Sequence, residues 1–272
     1  MSHFKVAVIT YGNKTVEELM APYQENNCGD VPRRFLEFND CNEEYRTEYE
    51  NETLGFVYQG GRLLPKWDKA FKKFKRDSLG IDNAVYEIPD DARIVEVPFK
   101  AIYPTFEDYL REWIEASVDE ETGRYGYWEN PNAKWDYWTE LDERGTWLDD
   151  YMGGNGLRIC DLKFDSDRQR IEEAEWWRQN MEGDGNREVD SLLNYFHTRD
   201  MTKEQFIEAS GHLWFRAVVT PDGTWHEVGE MGWFGMSSES SDDVYEWAIK
   251  FEERFIQPLN PNCEIHVVDC HI

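Results

Sequence analysis

The stretch HFKVAVIT, His3 to Thr10, and the closing stretch CEIHVVDCHI, Cys263 to Ile272, decide how the fold is read. The first is a run of β-branched and apolar residues bounded by the turn-forming YGN. Apolar side chains at consecutive positions imply that both faces of the strand are covered, as in the middle of a sheet. The second stretch follows PLNPN, which ends a helix, and reads as a final strand. Two such strands at opposite ends of the chain are expected to lie side by side in one sheet.

Between them the signals alternate. Thr15 with Glu18 three residues on is a capping box, and Val16, Leu19, Met20 and Tyr23 follow at helical spacing until Pro22 shortens the helix. ARIVEVPF reads as a strand, and Thr105 then caps a helix with Phe106, Tyr109, Leu110, Trp113 and Ile114 on one stripe. Lys66, Lys69, Lys72, Lys73, Lys75 and Arg76, interleaved with Trp67, Phe71 and Phe74, form the single basic cluster and read as an amphipathic helix over 66–76. Lys134 to Trp138 reads as a short strand, and YMGGNGLR as a turn, since no P-loop Lys-Ser/Thr follows its glycines. Residues 166–181 place Ile171, Ala174, Trp177 and Met181 on one helical stripe. Thr202 and Gln205 form a second capping box. HLWFRAVVTPDGTWHEVG reads as a β-hairpin turning at TPDG, and Val244, Trp247, Ala248, Phe251 and Phe255 as a last helix. Elements mixed in this order predict an α+β fold: a mostly antiparallel sheet that includes the N- and C-terminal strands, with helices packed mainly on one face. No linker divides the chain, so residues 1–272 read as one domain, with room for an inserted subregion at about 25–95.

The net charge of −27, from 56 acids against 29 Lys and Arg, repels phosphate backbones and anionic lipid. Direct nucleic-acid binding is therefore disfavoured, and a basic protein surface or a cation is favoured. No run reaches the ~18 apolar residues that suggest a membrane span. The N-terminus lacks signal-peptide character, and the five cysteines contain no CxxC. A reducing, cytosolic setting is expected, without membrane contact.

Two constellations can carry chemistry. On the final strand Val267, Asp269 and His271 point one way, and His266, Val268 and Cys270 the other. If the terminal strands pair, His3 approaches Asp269 or His271, and His226 can join from the hairpin. His226, Asp269 and His271 are thus the catalytic candidates, as an imidazole held by a carboxylate. No HxxxH or HxH spacing argues for a metal, no GxSxG is present, and no cofactor is called for. The second constellation is HEVGEMGWFG, His226 to Gly235. Its glycines permit a tight loop, and Trp233 and Phe234 can make a stacking wall. With Lys134, Trp135, Trp138 and Arg144 they are the candidate ligand-binding residues.

The combination of MSHF, LMAPYQEN, EEYRTEYENET, VPFKAIYPTFEDY, ETGRYGYWENPNAKWDYW, GEMGWFG and VVDCHI resembles a family of uncharacterised bacteriophage and mobile-element proteins. The resemblance spans nearly the whole chain. Family members often read KWDWYQIGGRW where this chain has KWDYWTELDERGTW. The resemblance brings no activity; it implies an accessory protein working in the cytosol of a bacterial host. Three functions fit that setting. The first is a binding protein that inhibits or sequesters a host defence component through its acidic surface. The second is a sponge for a small nucleotide-like ligand in an aromatic-lined pocket. The third is a hydrolytic enzyme using the His/Asp cluster.

Overall fold

The computed structural model describes residues 3–59, 62–76, 82–90, 92–140, 155–181, 201–230 and 238–272. The chain divides into two compact units, one of residues 1–36 and 130–272, the other of 37–129.

The first unit opens with β1 (His3–Thr10) and the short helix α1 (Val16–Met20), whose Thr15–Glu18 capping box is formed in both directions. The second unit then occupies the chain. It runs through β2 (Glu37–Asp40), α2 (Asn42–Asn51), β3 (Thr53–Gln59), β4 (Arg62–Pro65), β5 (Lys72–Arg76), β6 (Asp82–Tyr86) and β7 (Arg93–Pro98). The helices α3 (Phe99–Ile102) and α4 (Phe106–Tyr109) and the strands β8 (Ser117–Val118) and β9 (Tyr125–Glu129) complete it. The first unit resumes with β10 (Tyr137–Glu140), β11 (Leu157–Arg158), α5 (Ser166–Asn180) and α6 (Lys203–Ser210). It closes with β12 (Ala217–Val219), β13 (Trp225–Glu227), α7 (Ser241–Phe251) and β14 (Glu264–His271).

The second unit holds together because β9 returns to pair with β2, and β7 with β3, around a core of Phe99, Phe106, Tyr109 and Leu110. Its limits, 37 and 129, differ from the subregion of about 25–95 expected from sequence. Its C-terminal boundary is set by the β2–β9 pairing, a long-range contact that no local signal announces. Residues 66–76 are not the expected amphipathic helix. A 3-10 turn at Lys69–Phe71 leads into β5, which pairs with β6, and Phe74 is exposed on the ribbon. The 105–114 stripe is helical, but its second half, Leu110–Ile114, winds as a π-helix.

In the first unit the strand order is β10–β14–β1–β12–β13, with β11 also on β14. The terminal strands are neighbours: β1 and β14 run antiparallel over their full length, from His3 opposite His271 to Thr10 opposite Glu264. β1 meets β12 in parallel, and β12 turns back into β13 through TPDG, where Gly223 takes φ +94°. Only glycine adopts that angle readily. Both faces of the central pair are buried along Val6–Ile9 and Val267–Val268, where apolar residues are consecutive. One face carries Ala7, Ile9, Val218, Ile265 and Val267 against Trp247, Phe251 and Phe255 of α7 and its continuation. The other carries Phe4, Val6, Val8, Val268 and Cys270 against α1 and Trp135. The fold is α+β, and the longer helices lie on the first of these faces. Glu252–Ile256 winds as a π-helix, and Phe255 still joins the core. α5 forms as expected, but Ile171 of its presumed inner stripe is 70% exposed.

Candidate functional site

Two groups of polar side chains stand on the helix-bearing face of the sheet. Alternation along β1 and β14 puts His3, Lys5, Asp269 and His271 on it together. His3 Nδ1 lies 3.0 Å from Asp269 Oδ2, and the His3 and His271 rings are 5.1 Å apart. His271 Nδ1 lies 2.6 Å from Asp136 Oδ1, and the Tyr137 ring stacks on the imidazole at 4.6 Å. The terminal strands thus bring together Asp269, His271 and His3, and add Asp136, which sequence reasoning did not single out.

They do not bring in His226. It sits on β13, three strands from β14, and its ring packs against Phe255 at 5.1 Å. Three strand spacings amount to roughly 14 Å, so the three-residue catalytic cluster does not form. The two His–carboxylate pairs orient their rings, yet His271 is buried and its Nε2 is shut off from solvent without a partner. Neither imidazole is hydrogen-bonded to a Ser, Thr or Cys among the described residues. Cys270 points to the opposite face, in the core, where burial pushes its thiol pKa up. Among the described residues no group of three or more His, Cys, Asp or Glu is arranged to hold a metal ion.

The aromatic candidates also sort differently from the expectation. Trp135 is buried in the core beneath the sheet, edge-on to Trp138, so it fills space rather than lining a pocket. Lys134 makes an ion pair with Glu227 at 2.7 Å. Arg144, Trp233 and Phe234 lie outside the described residues.

A cavity of about 490 Å³ opens elsewhere in the same unit, beside the polar strip. Its walls come from the start of β1, from α5 and α6, from the 212–216 segment before β12, and from Val228 and Val244. Trp176, Phe206, Trp214 and Phe215 supply aromatic surface, and Trp176 lies against Phe206 at 5.5 Å. A concave, mostly apolar cleft of this size with a few polar groups is the usual form of a small-ligand site.

The polar groups on the wall are specific. Gln169 on α5 is 7% exposed; its Nε2 donates to Glu173 Oε1 at 3.1 Å, and its Oε1 has no partner. Burial raises the Glu173 carboxyl pKa, against the Gln169 hydrogen bond, and the neighbouring Glu172 adds to the rise. Arg216 reaches Glu239 with both terminal nitrogens, and its Nε is buried without a partner. Lys5 runs along the wall with part of its length in solvent. Desolvation lowers its ammonium pKa, opposed by Asp269 across the strand pair. His212 Nδ1 lies 4.0 Å from Glu252 Oε1.

Searches against protein-family models, curated proteins and solved structures return no match for this chain. Among the described residues no helix is long and apolar enough to cross a membrane.

Proposed function

We propose that this protein binds a small planar molecule in the cavity between the sheet, α5 and α6. One observation carries the reading. A buried amide oxygen, Gln169 Oε1, has no partner among the described residues, and its side chain lines an aromatic cleft large enough for a small molecule. An unmet buried acceptor costs about 1–3 kcal/mol, and a ligand donor would recover that cost. In the bacterial-host setting that the sequence resemblance implies, such a protein would act as a sponge for a small host molecule. Trp135, expected from sequence to line the pocket, lies instead in the core, but the class of function is the sponge reading.

Inhibition of a host defence component through the acidic surface has the net charge of −27 behind it. A hydrolytic role has the two His–carboxylate pairs behind it, but neither imidazole is hydrogen-bonded to a Ser, Thr or Cys among the described residues.

Native mass spectrometry of the intact protein, with and without added planar aromatic compounds, tests the binding reading. The expected result is a retained mass of small-molecule size, lost in Ala209→Phe, which narrows the cavity at a buried wall position. A folded wild-type protein that retains none of these compounds would refute it.

A further inference from the structure

The charges around the cavity are paired in a way that restricts what can enter. Each basic side chain on the wall faces a carboxylate. Arg216 is bound through two nitrogens to Glu239, whose side chain is 2% exposed. Lys5 stands opposite Asp269 in the strand register, and His212 stands near Glu252. Glu173 adds a carboxyl, which accepts from Gln169 Nε2. A phosphate brought into this cleft would lose its hydration and meet positive charge that carboxylates already balance. The neutral hydrogen-bonding groups behave differently. Gln169 Oε1 is an acceptor and Arg216 Nε a donor, and neither has a partner among the described residues. Around them the wall is aromatic: Trp176, Phe206, Trp214 and Phe215.

We propose that the cavity takes an uncharged planar heterocycle of the nucleobase class, one that gives an N–H to Gln169 and an acceptor atom to Arg216, and excludes its phosphorylated forms. This rests on the binding reading above and narrows it. Stacking supplies affinity that is tolerant of ring identity, while the two unpaired polar atoms supply selection. A site built to hydrogen-bond its ligand discriminates strongly against an analogue that leaves the protein groups unmet.

The test titrates the full-length protein and follows Trp fluorescence, since Trp176 and Trp214 line the cleft. The probes are adenine, uracil, their 5′-monophosphates, and 1-methylindole, which is planar but has no N–H. At least one free base is expected to bind about tenfold or more tightly than its own monophosphate. Gln169→Leu should weaken that base about tenfold, the scale of one buried hydrogen bond, and leave 1-methylindole within about twofold. Gln169→Met, which is close to the side chain in length and has no amide oxygen, serves as a second variant if the leucine form does not fold; it should also weaken the base. A monophosphate that binds as tightly as its base overturns the proposal, as does a base unaffected by either variant. Binding of 1-methylindole without binding of either base overturns the ligand class and leaves the cavity reading standing. Binding of none of the probes overturns both.

Discussion

Glu239→Ala is the sharpest stability test the structure offers. The Glu239 side chain is 2% exposed and that of Arg216 12% exposed, so little water reaches the pair. Arg216 Nη2 donates to Glu239 Oε2 at 3.1 Å, and Nη1 donates to Oε1. The backbone is shaped around the carboxylate, because a Cβ on Gly229, at φ +65°, would run into Glu239. Removing the acid leaves a guanidinium, whose charge persists at any accessible pH, buried without its counterion. The expected cost is about 3–5 kcal/mol, the usual penalty for breaking a buried pair from one side. The double variant Arg216→Met/Glu239→Met removes both charges and should cost clearly less than Glu239→Ala alone. Urea unfolding followed by Trp fluorescence and far-UV circular dichroism measures both. If the two compact units unfold in separate transitions, the shift should fall on the one containing residues 216 and 239. A Glu239→Ala cost below about 1 kcal/mol, the range of exposed pairs, would refute the burial argument. A double variant worse than the single would refute the charge argument.

Three further tests reach other parts of the chain. Asp136→Ala removes the only hydrogen-bond partner of the buried His271 ring among the described residues and should cost about 1–3 kcal/mol in urea unfolding; no measurable loss would show that the Tyr137 stack alone holds the ring. Lys73 and Lys75 both bind the Glu87 carboxylate and lower its pKa to about 2. A depressed folded pKa means the pairing is intact above the unfolded value near 4.5 and is lost as pH falls toward about 2. Carbon-detected NMR should therefore find the Glu87 titration near 2, and a midpoint near 4.5 would show the pairs are not populated. Gly126→Ala would push a methyl into the Asn39 carbonyl across the β2–β9 pair, and should lower the stability of the 37–129 unit by about 1–3 kcal/mol; an unchanged unfolding midpoint would mean the strands separate at no cost.

The sheet was legible because its signals are local. Val6 to Ile9 are apolar at consecutive positions, and TPDG carries its own turn chemistry. The Thr15–Glu18 and Thr202–Gln205 boxes mark their helix starts within four residues, and both are formed. The 66–76 segment misled because Trp67, Phe71 and Phe74 fall at helical spacing although the chain pairs as a ribbon with β6. Trp135 was assigned to a pocket wall by its neighbours in sequence, whereas β10 and the bridge from Gln24 to Trp135 direct its ring into the core. The cavity was not legible at all. Phe4, Gln169, Phe206, Trp214 and Val244 meet only after the sheet and three helices have packed, and each alone reads as an ordinary core or helix residue. Asp136 was missed for the same reason. Its contact with His271 spans 135 positions of chain.

The acidity of the chain and the paired charges of the cavity act at different ranges, and salt separates them. The net charge of −27 sets a field that repels an anion as it approaches, and at 0.1 M salt that field is screened beyond about 10 Å. The paired wall acts only on what has already entered. If both disfavour anions, lowering the ionic strength should weaken adenosine monophosphate binding further and leave adenine binding unchanged, so that the preference for the base widens. An uncompensated cation on the wall would give the opposite trend, because its attraction for phosphate strengthens as screening falls. Tightening of the monophosphate at low salt would therefore show that Lys5 or Arg216 is available to a ligand, and would refute the charge pairing on which the selection is built.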